Sequence, residues 1–365
     1  MINWITRLTG LALLCLSGAA LAQIPAGYPA NYAAMVAAAK KEGKLVIYAS
    51  TDTTAANPLI KDFEALYPGI KVEYDDMTTT ELYNRLIAER AAAGASADVL
   101  WSSAMDLQVK LVADGYALTY LSSEAAKLPE WAVWQAQAYG TTYEPVVIVY
   151  NKWLVGDDEI PQSHADMVRL LSERADKLKG KITSYDIEKS GVGFLLITQD
   201  AKNNAKFWDF ARALGAVGTR FQSSSGAMME RISSGESLMG YNIFGSYARL
   251  RANKDRSIGI VYPNDYTLVM SRIMFIAKTA AHPNAAKLWL DYILSKRGQT
   301  IVASRSDLGS IRADVEGELT LVGLTKTLGK SLKPIPVGPS LLAYLDQAKR
   351  LEFLKQWQQA IKGAK

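Results

Sequence analysis

The chain is 365 residues long, 49% hydrophobic and 21% charged, with a formal net charge of +5. That length suggests about two domains, each able to bury a core, and the composition is close to that of an average soluble protein. So mild a positive charge, with no RNA- or DNA-binding signature beside it, argues against a nucleic-acid partner, although a weak positive field can still help to capture an anion.

The first 22 residues read as a secretory signal rather than as part of the fold. Arg7 supplies a positive start, LTGLALLCLSGAA an apolar stretch, and Ala20-Leu21-Ala22 a cleavage site. The stretch is too short and too broken by Gly10 and Gly18 for a membrane span. The only cysteine, Cys15, follows Leu14, whereas a lipoprotein signal wants a small residue there. Cleavage after Ala22 leaves a periplasmic protein that begins at Gln23 and has no cysteine, stabilised by its core alone.

Residues 44–103 then alternate strand and helix: KLVIYAS, NPLIKDFEALYPG, IKVEYDD, TTTELYNRLIAERAAAGA and ADVLWSS. This alternation predicts a parallel sheet with crossover helices, whose ligands sit beyond the carboxyl ends of the strands. Those ends are Ser50-Thr51-Asp52-Thr53, Asp75-Asp76-Met77-Thr78 and Ser102-Ser103. They are rich in hydroxyls and lack Cys, His or a nucleophile–base pair, as suits a place that holds a polar ligand without changing it. A helix to Gly115 follows, then the strand VVIVY entered through Pro145, and a second β-like stretch, YTLVMSRIMFIAK, at 266–278. About 115 residues between the two carry their own strands and helices, and after Lys278 the chain reads as almost entirely helical. The fold class expected is therefore α/β, with two Rossmann-like lobes joined by two hinge crossings and a helical C-terminal region. Residues 23–145 plus 267–365 form the first lobe and 146–266 the second. Two crossings make a hinge and leave a cleft between lobes.

At this point the chain resembles the type II periplasmic substrate-binding proteins of ABC importers, in the branch of the iron(III)-binding proteins and their sugar-phosphate- and phosphonate-binding relatives. The resemblance rests on KEGKLVIYAS followed by IKDFEALYPGIKVEY, on SADVLWSS, YEPVVIVYNK and SSGESLMGYN, and above all on HPNAAKLWLDYILSKRGQTIVA. Each motif alone is weak, but their order and spacing cover nearly the whole mature chain. The resemblance implies hinge closure, a membrane permease as partner, a monomer, and no cofactor. It departs at the metal site. Ferric binders of this kind carry two adjacent tyrosines, and here the matching pair is Tyr241-Asn242. The first strand ends in Ser50-Thr51-Asp52 where a histidine is common, and His164 and His282 fall outside any plausible cleft. One tyrosine does not make a tight site for a hard trivalent ion, which wants several anionic oxygens.

Three serine-rich segments point instead to an organic anion. Ser223-Ser224-Ser225-Gly226 precedes a helix and offers hydroxyls and free N–H groups, where simple capping by one serine is the competing account. Ser190-Gly191-Val192-Gly193 opens another helix, as an anion contact or merely a tight turn. Ser102 and Ser103 end a strand before Ala104. Thr78, Tyr143 before the first crossing, Tyr241, Asn242 and Arg272 inside the second complete the ligand-binding candidates, although strand alternation could equally turn Arg272 outward. No G-x-S-x-G, H-E-x-x-H, Walker loop or G-x-G-x-x-G after a strand is present. The expected function is an extracytoplasmic protein that captures a small anionic solute (carboxylate, phosphate ester or phosphonate) for an ABC transporter. Ferric iron with a synergistic anion is the alternative, and a secreted enzyme the third reading.

Overall fold

The computed structural model describes residues 28–363 except residue 95; the expected signal segment lies outside the described residues. The chain opens with α1 (Tyr32–Glu42), β1 (Lys44–Ala49), α2 (Thr53–Leu66), β2 (Lys71–Asp76), α3 (Thr79–Ala91), β3 (Val99–Ser102) and α4 (Met105–Ala113). It continues through β4 (Val133–Trp134), β5 (Ala138–Gly140), β6 (Glu144–Asn151), α5 (His164–Glu173), α6 (Ala175–Leu178), β7 (Ile182–Tyr185), α7 (Gly191–Asn203), α8 (Phe207–Ala216), β8 (Arg220–Gln222) and α9 (Ser225–Ser233). Next come β9 (Met239–Phe244), α10 (Gly245–Ala252), β10 (Ile258–Val261), β11 (Thr267–Met270), β12 (Ile273–Ile276), α11 (Pro283–Leu294), α12 (Lys296–Ser304), α13 (Leu321–Leu328), β13 (Leu332–Pro334) and α14 (Gln347–Lys362).

These elements form the expected α/β architecture of two lobes. The first sheet has the strand order β2-β1-β3-β12-β5-β4, and the second β13-β11-β6-β9-β7-β8 with β10 beside β6. Strands β1, β2 and β3 are parallel, as their crossover helices require, and β12 closes against β3 antiparallel. In the second sheet β7, β8 and β9 are parallel, so β7 and β9 end, like β1, β2 and β3, at the space between the lobes. Apolar side chains on alternate strand positions bury against helices. Phe63 of α2 meets Trp289 and Tyr292 of α11 behind the first sheet, and Phe210 of α8 meets Tyr241 of β9 behind the second. A further core cluster continues from Leu100 and Met105 through Val147 to Phe244, so apolar packing runs through the junction of the lobes.

The chain passes from the first sheet to the second at Thr141–Tyr143 and returns at Ser271–Arg272, between β11 and β12. The expected assignment of 267–365 to the first lobe differs from this placement in two ways. Strands β11 and β13 belong to the second sheet. Helix α14 packs on the second lobe, with Phe353 and Trp357 in the same core as Phe207 and Phe210. The physical reason is pairing: β11 finds a strand edge on β6, and the apolar face of α14 covers α8. The lobes meet above the cleft. Thr80 Oγ1 donates to the carbonyl of Lys189 at 3.1 Å, and a Cβ on Gly191 would lie 2.8 Å from Leu107 Cδ1 and 3.1 Å from Thr79 Oγ1.

Candidate functional site

Between the lobes lies a cleft of about 480 Å³. The first lobe lines it with Ser50 and Asp52 after β1, Asp76 at the end of β2, Met77 and Thr78 after it, Thr79 of α3, and Ser103 after β3. The second lobe contributes Tyr185 at the end of β7, Ser190 and Val192 at the start of α7, and Ser223 to Gly226 at the start of α9. Met229, Glu230, Phe244, Tyr247, Leu250, Arg251 and Lys254 complete the wall.

Each polar group is positioned by a local rule. Thr78 caps α3 in a capping box with Glu81, whose carboxyl these bonds hold below its usual range. Ser190 Oγ accepts from Gly193 N, and Ser224 Oγ accepts from Ala227 N. Ser50 Oγ accepts the Ser103 N–H at 2.9 Å and lies 3.4 Å from Ser102 Oγ and 3.2 Å from Ser103 Oγ. Tyr185 and Ser225 pair hydroxyl to hydroxyl at 2.6 Å, and burial raises the pKa of Tyr185, so it stays a phenol. Gly193 permits this arrangement: a Cβ there would come within 2.5 Å of Tyr185 Cβ.

The hydroxyl hydrogens can be counted. The Tyr185–Ser225 pair holds two and uses one. In the Ser50, Ser102 and Ser103 set Ser50 donates to Ser102, Ser103 therefore donates to Ser50, and the one spare hydrogen is that of Ser102, buried behind the wall. Ser190 and Ser224 accept backbone N–H groups and, among the described residues, their own hydrogens have no acceptor. The cleft therefore offers surplus donors from the second lobe, beside two helix starts whose dipoles favour negative charge.

Charged groups stand around these donors. Arg251 forms a two-pronged pair with Glu230 at 2.8 and 3.2 Å, whereas Lys254 makes no ion pair among the described residues. Asp76 Oδ2 accepts the Thr53 N–H at 2.8 Å, and Asp52, at the head of α2, makes no side-chain cap bond.

Eight of the residues expected to bind ligand line this cleft: Ser50, Asp52, Thr78, Ser103, Ser223, Ser224, Ser225 and Gly226. The others lie elsewhere. Thr51 and Ser102 are buried just behind the wall, Thr51 Oγ1 accepting from Arg272 at 3.0 Å. Arg272 is wholly buried beneath it, bound to both oxygens of Glu144 at 2.8 and 3.1 Å and to the carbonyl of Ser50. Burial opposes its charge, but Glu144 outweighs this and holds its pKa above the ordinary value. Tyr143 turns into a core with Ile311 and Leu324. Tyr241 and Asn242 are buried on the far side of β9, where both donate to Asp200 Oδ2, at 2.9 and 2.8 Å. Burial raises the pKa of Tyr241 well above its usual value. His164 pairs with Asp265 and His282 with Asp98, and neither lines the cleft.

Sequence reasoning missed Tyr185, Phe244, Tyr247, Glu230, Arg251 and Lys254. The first two were within reach, since they end strands of the second lobe as Ser50 and Ser102 end strands of the first.

A two-lobed α/β chain with its cleft at the strand ends of both sheets has the form of an extracytoplasmic solute receptor. Residues 58–318 match the family model described as bacterial extracellular solute-binding protein, and the chain belongs to that family. It is similar to the substrate-binding protein of an ABC transporter from Agrobacterium tumefaciens, with 42% identity, 87% of this chain and 94% of that one covered, and a TM-score of 0.83. It shares its fold with AfuA of Actinobacillus pleuropneumoniae, solved with exogenous fructose-6-phosphate, at 23% identity over 87% and 98% of the two chains and a TM-score of 0.72. Iron-bound HitA of Pseudomonas aeruginosa also has this fold, at 19% identity over 87% and 99% and a TM-score of 0.67. The protein is thus a solute-binding protein of the ABC-transporter class, a class that delivers a small solute to a membrane permease.

Proposed function

We propose that this protein captures a small organic anion in the cleft and presents it to its permease without altering it. The surplus of hydroxyl donors around the starts of α7 and α9 carries this reading. A carboxylate, phosphate ester or phosphonate supplies acceptors for them, and in a partly enclosed cleft a charge-assisted hydrogen bond contributes about 1.5–3 kcal/mol. Ser190, Ser224 and Ser225 donate, Ser50, Ser103 and Thr78 hold their neighbours in place, and Arg272 supports Ser50 from below. The fructose-6-phosphate of the Actinobacillus relative is one solute of this chemistry. The ferric alternative is not favoured, because Tyr241 faces Asp200 rather than the cleft. Export through a cleaved signal ending at Ala22 and action as a monomer belong to the same reading.

Calorimetric titration with organic acids, sugar phosphates and phosphonates tests it. The double substitution Ser224→Ala/Ser225→Ala should weaken binding of the best of these by about 10²-fold, the loss of two such bonds. Binding equal to the parent's would mean that these serines serve only as helix caps.

A further inference from the structure

The serine donors occupy only the second-lobe part of the cleft, and the facing wall of the first lobe carries acceptors. Asp52 and Asp76 project from neighbouring strand ends of the first lobe into the same cavity. Asp76 uses Oδ2 on Thr53, and among the described residues its Oδ1 has no partner. Asp52 has no ion pair and no cap bond among the described residues. Asp52 and Tyr247 line the same cavity. On the donor side Ser190 is only 4% exposed, lines the cavity, and has no acceptor for its hydroxyl hydrogen among the described residues. A hydroxyl hydrogen so placed is free to meet a ligand acceptor.

A bare dianion fits this cavity poorly. Each water takes roughly 30 Å³ of liquid volume, and a phosphate-sized ion takes the room of only a few waters, against a cleft of about 480 Å³. A dianion would also face two carboxylates that make no ion pair among the described residues. The arrangement is favourable only when the part of the ligand next to them brings hydrogens of its own.

We infer, resting on the anion reading above, that the solute is bipolar: an anionic head sits on the serines of α7 and α9, and a tail donates hydrogen bonds to Asp52 and Asp76. Hydroxyl and ammonium tails share this chemistry. Tyr185, Phe244 and Tyr247 form the apolar wall along which the chain between head and tail lies.

Three probes test the proposal by calorimetry: methyl phosphate (head alone), glycerol 3-phosphate (hydroxyl tail) and 3-aminopropyl phosphate (ammonium tail). At least one tailed probe should bind the parent protein tenfold or more tighter than methyl phosphate. Asp52→Asn/Asp76→Asn should reduce that advantage to threefold or less and leave methyl phosphate as tight or tighter. Because Asp76 also caps α2, Asp52→Asn alone serves as the second variant and should cost the tailed probe at least threefold. An ammonium tail loses far more than a hydroxyl tail when the carboxylate becomes an amide, so the loss identifies the tail. Ser224→Ala/Ser225→Ala should weaken all three probes alike. Equal binding of the three probes to the parent, or an advantage that survives both aspartate variants, overturns the bipolar solute. Failure of every probe and of the wider anion panel overturns the anion reading itself.

Discussion

Arg272 and Glu144 show how much one buried pair can carry. Both side chains are wholly buried, and Glu144 also accepts from Thr142 Oγ1 at 2.8 Å and Ser246 Oγ at 2.6 Å. Together these contacts bind the two chain crossings to the first residue of the cleft wall. Removing one partner of a buried pair strands the other charge at a cost of about 3–5 kcal/mol, whereas replacing both by apolar groups costs far less. Arg272→Ala should therefore lower unfolding stability in urea by about 3–5 kcal/mol, and Arg272→Met/Glu144→Met should recover more than half of that. A loss under 1 kcal/mol for Arg272→Ala would show that the pair is not a structural brace. The same residue marks a limit of sequence reading. Alternation in a strand gives two faces but not which one meets the cleft, and the site was legible where a strand end or helix start fixed direction, as at Ser50, Ser103 and Ser224. It was not legible at Tyr241 and Asn242. Asn242 adopts φ +62°, and the pairing of β9 with β6 shifts register between Val147 and Val149. Such a bulge redirects side chains in a way that no period of two anticipates.

At the scale of elements, the parallel run from β1 to β3 was legible because its strands and helices alternate in short, strongly patterned segments. The C-terminal segment was not, since the apolar stripe of α14 states that the helix packs without stating on what. It packs on the second lobe. Trp357 stacks near Phe207 and meets Phe221 edge-on, and Phe353 packs on Phe194. The backbone of Ile361 passes so near Gly215 of α8 that a Cβ there would collide with it. Trp357→Ala should then cost about 3–5 kcal/mol, the usual loss for a large buried aromatic, with hydrogen exchange quickening in α8 and not in α2 or α11. Protection lost equally in both lobes, or only in the first, would contradict the placement of α14.

At the scale of the whole molecule, a titratable group sits where the lobes come together. Asp106 of α4 is buried near the first turn of its helix, two residues after Ala104, which with Leu107 packs against Gly191 of the second lobe. Burial pushes its carboxyl from the usual 3.8 up to about 7, against opposing pulls from the Leu107 N–H and the positive charge of Arg350 on α14. The folded protein thus binds this proton more tightly than the unfolded chain. Its stabilising contribution is complete below the unfolded pKa near 3.8, and is lost progressively as pH rises to about 7. The full span corresponds to about 4 kcal/mol. Asp291, pushed by burial to about 6, acts in the same direction over a narrower range. Asp106→Asn keeps the shape and removes the titration. Urea unfolding at pH 5 and pH 8 should show the parent losing stability across that interval and the variant losing markedly less, with the residual slope left to Asp291. The variant should equal or exceed the parent at pH 8, where the parent must bury a charge that the amide lacks. A variant with the parent's slope would place the proton elsewhere. If the lobes separate at α4 when the cleft opens, Asp106 returns to water and its pKa falls. Closure then takes up a proton, and solute affinity in the parent, but not in Asp106→Asn, should rise as pH drops from 8 to 6.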